Sequence, residues 1–153
     1  MMEPRTEMTR EDLQSGFKPE IILLYCRRCV EEEADLFIAA KATSRFAAKL
    51  VMMPCTSKVE ESHLLKLLAE GADGVQVVGC PYQQCQRLLG NLQAERRIEH
   101  ARGYLREIGL GAERLGMERG LHFSGLQLLL LAEKRAHAVR PLGPNPMKGE
   151  RIP

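Results

Sequence analysis

Residues 71–80 read Gly-Ala-Asp-Gly-Val-Gln-Val-Val-Gly-Cys, and the order of these residues decides the fold. Gly71 is suited to end a helix in the left-handed region, Asp73-Gly74 makes a turn, and Val75-Gln76-Val77-Val78 is a short apolar run that ends on a cysteine. Helix, turn and buried strand in immediate succession mark a βα series. Upstream, Ser57-Lys58-Val59-Glu60 has the spacing of a capping box, which predicts a helix carrying Leu64, Leu65, Leu67 and Leu68 on its packed side. Two more apolar runs precede it, Ile21 to Tyr25 and Leu50 to Met53. A helix is expected between them over Val30 to Ala42. Its acidic start, Glu31-Glu32-Glu33, suits the positive end of the dipole, with Leu36, Phe37 and Ala40 facing inward.

Downstream, Ile98, Ala101, Leu105 and Ile108 form one stripe of a long helix from about Asn91 to Ile108, stopped by Gly109. A weaker strand is expected over Leu115 to Glu118. A last helix follows Ser124, with Leu126, Leu129 and Leu130 inward. The first three strands start at residues 21, 50 and 75, a separation close to that of the roughly 30-residue βαβ unit. The expected fold is therefore α/β: an open, mainly parallel sheet with helices on both faces, Rossmann- or flavodoxin-like, with about four βα units.

The 153 residues are 44% hydrophobic and 27% charged, ordinary usage for one packed domain. Residues 1–19, mixed in charge and poor in apolar residues, read as a flexible leader and residues 20–140 as the domain. Residues 141–153, with four of the eight prolines, read as an extended tail. The longest stretches without a charged residue are thirteen residues (74–86 and 120–132), short of the roughly 20 that span a bilayer. No apolar signal segment opens the chain, so a cytoplasmic location and no membrane span are expected. A formal net charge of +2 gives no basic excess for nucleic acid, and none is expected as a partner.

Five cysteines carry the chemistry. Cys26, Cys55 and Cys80 fall at the carboxyl ends of three predicted strands, and in a parallel sheet those ends share the edge where ligands bind. Cys29 follows Cys26 as C-x2-C, and Cys85 follows Cys80 as C-x4-C. A single buried cysteine is an ordinary small hydrophobe, but five converging on one edge point to metal or redox chemistry, since soft thiolates select zinc or iron–sulfur clusters. The two spacings are those of plant-type [2Fe–2S] sites in a different order, and only one C-x2-C knuckle is present for a structural zinc site. Iron–sulfur therefore ranks first. A zinc-stapled structural adaptor is one alternative. A thiol–disulfide oxidoreductase using Cys26 and Cys29 is another, with the helix dipole and Arg27-Arg28 lowering the thiol pKa.

Several segments also resemble a known family. Residues 71–80, then Cys85, Gly90-Asn91 and Ala94-Glu95-Arg96-Arg97, are similar to the delta subunit of methyl-viologen-reducing hydrogenase. So are Cys26-x2-Cys29, Pro54-Cys55 with Lys58-Val59-Glu60, and Ile108-Gly109 with Glu113-Arg114-Leu115. The resemblance implies a [2Fe–2S] cluster held by four of Cys26, Cys29, Cys55, Cys80 and Cys85. It also implies electron relay between a hydrogenase, formate dehydrogenase or other reductase subunit and the flavin-containing A subunit of a heterodisulfide-reductase-type complex. The surroundings of the thiols depart from the family: Arg27-Arg28 stands where Asn-Trp is frequent, Pro81 where His is frequent, and Ser57-Lys58-Val59-Glu60 in place of Gly-Arg-Val-Asp.

Arg27, Arg28, Arg87, Arg96 and Arg97 are candidates for a basic collar around the site, and the alternative role for each is a solvated helix face. His63, His100, His122 and His137 are scattered, and none is assigned as a ligand. No G-x-G-x-x-G or phosphate loop follows the first strand, so no substrate or nucleotide machinery of its own is expected.

Overall fold

The computed structural model describes residues 17–30, 45–81 and 90–147. Four strands, β1 (Glu20–Cys26), β2 (Ala47–Met53), β3 (Gly74–Gly79) and β4 (Leu115–Arg119), form one sheet in the order β2-β1-β3-β4, every pair parallel. Three helices, α1 (Glu61–Ala69), α2 (Gly90–Glu107) and α3 (Gly125–Val139), cover it. The expected open parallel α/β sheet is the observed one. The helix expected over Val30 to Ala42 lies outside the described residues beyond Val30.

Alternation along β1 builds two cores. Ile21, Leu23 and Tyr25 pack with Leu128, Ala132 and Ala136 of α3, whereas Leu24 packs with Leu64 and Leu68 of α1 and Ala94, Ile98, Ala101 and Leu105 of α2. A strand covered on both faces reads as a continuous apolar run, which is why Ile21 to Tyr25 stands out in sequence. Both α1 and α2 end in Schellman motifs. Gly71 (φ 116°) and Gly109 (φ 81°) take the left-handed position, and Ala72 N–H and Leu110 N–H return to the carbonyls of Leu67 and Leu105.

Three sequence expectations are corrected. The inward face of α3 is Gly125, Leu128, Ala132, Ala136 and Val139, while Leu126 and Leu130 are exposed. A run of leucines supplies an apolar face at almost any rotation, and the small alanines, which let the helix approach the sheet closely, choose the one used. The expected Ser57–Glu60 capping box does not form: Thr56–Lys58 is a 3-10 turn, and α1 begins at Glu61 with no side-chain cap on Glu60. The capping box lies instead at Ser124 and Gln127, at the start of α3. Ile108, expected on the packed stripe of α2, is exposed because the Schellman turn begins there, and Ala94 completes that stripe.

The amino-terminal edge of the sheet is sealed by polar groups. Asp73, fully buried, accepts from Glu20 N–H and Asn145 N–H, both at 2.8 Å. The Asn145 amide donates to the carbonyls of Leu68 and Ala72, and buried Arg114 donates to those of Leu110, Asp73 and Gly143. The tail is thus tied down at Asn145, whose Oδ1 also accepts from Met147 N–H. Within the expected leader, Phe17 is buried.

Candidate metal centre

The opposite, carboxyl-terminal edge carries the thiols. Cys26 is the last residue of β1, and a single 3-10 turn, Arg27–Cys29, sends Arg27 and Arg28 into solvent and returns Cys29 to the interior. Cys80 directly follows β3. The chain leaves β1 toward β2 and then crosses to β3 on the other side, so the gap between β1 and β3 is the topological switch point, where such sheets bind ligands. Cys26 and Cys80 flank that gap.

The Cys80 Sγ lies 3.8 Å from Cys26 Sγ and 3.9 Å from Cys29 Sγ, and the three sulfurs fall within 4.8 Å of one another. All three are free thiols, each at most 1% exposed. Cys55, two residues past β2, is buried in the same apolar cluster but outside the group of three, and its sulfur accepts from Ser57 N–H at 3.5 Å. Cys85 lies outside the described residues. The structure therefore joins Cys26, Cys29 and Cys80 and sets Cys55 in the adjoining loop.

Burial and proximity force the thiols to share protons. The Cys29 thiol, as hydrogen-bond donor, holds the Cys26 pKa down to about 6 against the opposing effect of burial. Arg28 and Thr56 backbone groups and the Cys80 thiol assist. Cys29 is pushed up by the same bond with Cys26, by burial and by the negative charge beside it. Three thiolates cannot coexist here without a cation among them. Their donor set suits a soft metal centre: thiolates sharing one tetrahedral ion with metal–sulfur bonds of about 2.3 Å stand about 3.8 Å apart. A thiol that exchanges with disulfide substrates needs access, which burial denies to Cys26 and Cys29.

Sequence reasoning missed the residues that hold these loops. Phe123 N–H donates to the Cys29 carbonyl at 2.8 Å, and Gly120 N–H donates to that of Gly79 at 3.0 Å. The β4–α3 loop thereby walls the site, with His122 in the left-handed region at φ 61°. Arg97 donates to the carbonyls of Ser57 and Val59, tying the Cys55 loop to α2. Arg119 pairs with Glu95 and reaches the Cys80 carbonyl. Of the expected collar, Arg27, Arg28 and Arg96 are exposed, Arg97 is spent on loop carbonyls, and Arg87 lies outside the described residues. His100 pairs with Glu61 away from the sulfurs.

Residues 21–143 match the family described as methyl-viologen-reducing hydrogenase, delta subunit. The chain is 31% identical over 132 residues (86% of this chain, 98% of the relative) to the iron-sulfur D subunit of the vhu F420-non-reducing hydrogenase of Methanocaldococcus jannaschii. It is 30% identical over 132 residues (86% of this chain, 96% of the relative) to the iron-sulfur D subunit of the F420-non-reducing hydrogenase of Archaeoglobus profundus. It is also 31% identical over 97 residues, 63% of this chain, to the A subunit of the ferredoxin/F420H2-dependent CoB-CoM heterodisulfide reductase of Methanosarcina acetivorans, of which the match covers 12%.

Proposed function

The chain belongs to the methyl-viologen-reducing hydrogenase delta-subunit family, and on that premise we propose that it is an electron-transfer subunit whose cysteine edge holds a [2Fe–2S] cluster. The observation that carries the reading is the meeting of three buried, unbridged thiols from two parallel strands at the sheet's switch point. Cys26, Cys29 and Cys80 are the core of the proposed ligand set, with the fourth ligand drawn from Cys55 or Cys85. Such a cluster supplies one-electron storage and release, with a potential set by its charge, hydrogen bonds and burial.

The chain's own residues bind and insulate. The 3-10 turn presents Cys26 and Cys29 from one strand end, and the backbone N–H groups around Cys26 lower the cost of negative sulfur. Phe123 and Gly120 fix the carbonyls beside the thiols, so that backbone motion does not disturb them. The exposed Arg27 and Arg28, next in sequence to the buried sulfurs, give this edge a basic rim suited to an acidic partner surface. The proposed donor is a hydrogenase, formate dehydrogenase or other reductase subunit. The proposed acceptor is the flavin-containing A subunit of a heterodisulfide-reductase-type complex. Support for the acceptor comes from the recurrence of a segment like this chain within heterodisulfide reductase A subunits.

The deciding experiment is anaerobic purification followed by iron and sulfide analysis and EPR. About two irons and two sulfides per chain, with a signal on dithionite reduction, are expected. A colourless protein containing zinc overturns the proposal.

A further inference from the structure

Arg119 closes β4 at the cysteine edge, in register with Gly79. Its Nη2 donates to Glu95 Oε1 on α2 at 2.6 Å, and its Nη1 approaches the Cys80 carbonyl at 3.5 Å. The arginine side chain is 16% exposed and the glutamate 45%. A permanent cation, largely out of water, therefore rests against the backbone of the cysteine whose sulfur contacts both of the others. A contact of 3.5 Å adds little as a hydrogen bond. Its consequence is electrostatic, because a largely desolvated charge is weakly screened over such distances.

We propose that the Glu95–Arg119 pair is an electrostatic lever on the thiolate centre, an inference that rests on the iron–sulfur function proposed for this edge. Taking up an electron makes the centre more negative by one charge. Arg119 then stabilises the reduced state more than the oxidised one and raises the potential. Glu95 anchors the guanidinium and offsets part of its field, with the smaller effect because its carboxylate is the better solvated of the two. Arg119 is thus a positioning and tuning residue, acting through charge beside Cys80.

A purely mechanical clamp predicts something different. Breaking the ion pair from either side then loosens the same contact and moves the potential in the same direction. A lever moves it in opposite directions. The test is an EPR-monitored redox titration of the anaerobically purified full chain, with iron content measured alongside, for Arg119→Gln, Arg119→Lys and Glu95→Gln. Glutamine at 95 keeps an acceptor oxygen for the guanidinium while removing the charge.

Arg119→Gln is expected to shift the potential negative, Glu95→Gln to shift it positive by less, and Arg119→Lys to stay near wild type. Shifts of one sign in Arg119→Gln and Glu95→Gln, or no shift in Glu95→Gln with iron retained, overturn the lever while leaving the iron–sulfur function intact. If Arg119→Gln does not load iron, the sign in Glu95→Gln decides: positive supports the lever, negative or zero overturns it. A wild-type protein without iron overturns the underlying function and the lever with it.

Discussion

The two edges of the sheet treat polar atoms in opposite ways. At the amino-terminal edge Asp73, Asn145 and Arg114 are each at most 1% exposed, and the carboxylate, amide and guanidinium are matched to backbone donors and carbonyls. At the carboxyl-terminal edge three equally buried sulfurs meet one another, at distances long for strong bonds. Buried polar groups are ordinarily satisfied, so a sealed edge is finished structure, and a cluster of soft thiol donors is a place for a guest. Stability is built into one edge and binding is left for the other.

The contrast breaks most visibly at Cys80. Cys80→Ser is expected to abolish iron loading, measured by iron content and visible absorbance, because its sulfur links the two from the β1 end at 3.8 and 3.9 Å and is the one contributed by a different strand. Full retention of iron removes Cys80 from the ligand set. At the sealed edge, Asn145→Ala deprives the Leu68 and Ala72 carbonyls of their amide donor. Backbone N–H of residue 145 still reaches Asp73 after the substitution, so the main loss is the two carbonyl partners, about 3 kcal/mol. That corresponds to a melting-point drop of roughly 6–12 °C at this chain length. Iron content should stay at the wild-type level, and the drop should be the same with and without the metal centre, since the sites share no partners. A loss of iron in Asn145→Ala means that the edges are coupled and the division between them is wrong.

The same division governs what is legible in the sequence. Strand ends follow from apolar runs, so the convergence of Cys26, Cys55 and Cys80 on one edge can be read from hydrophobic pattern and parallel topology alone. The details that depend on shape cannot. The rotation of α3 is set by Ala132 and Ala136 fitting the sheet, while the louder signal in that segment is leucine, and Leu126 and Leu130 face solvent. Ser57 has the spacing of a cap, yet its segment is shaped by the cysteine loop: Cys55 accepts Ser57 N–H, and Arg97, forty residues on, takes the Ser57 carbonyl. Asn145, set between two prolines, reads as part of an extended tail, because its partners, Asp73 and the end of α1, lie more than seventy residues away.

Arg97 offers an intermediate test, because it is a polar seal of the kind found at the finished edge, placed at the other one. Arg97→Met keeps the side-chain stem and removes the donors to Ser57 and Val59. The expected cost is about 1–2 kcal/mol. Faster amide exchange should be confined to residues 56–59, with Cys26, Cys29 and Cys80 undisturbed. Exchange that spreads to the β3 end shows that the Cys55 loop and the trio of thiols form one cooperative unit.

The smallest effect belongs to an exposed pair away from the sulfurs, where Glu61 at the start of α1 bonds His100 Nδ1 at 2.7 Å. The hydrogen bond from His100 lowers the Glu61 carboxyl below its usual range. A depressed carboxyl stabilises the fold above its unfolded-state pKa, and that contribution disappears as pH falls through the folded value. With His100 61% exposed, screening limits it to at most about 0.5 kcal/mol. Denaturant titrations of wild type and His100→Ala should therefore differ slightly near pH 6 and converge as the pH falls through the lowered Glu61 value. A difference that persists undiminished to the acid end of the titration assigns the His100 contribution to packing on Tyr104, whose ring lies 4.8 Å away, rather than to the contact with Glu61. The exposed Glu61–His100 contact then has no more than a packing role.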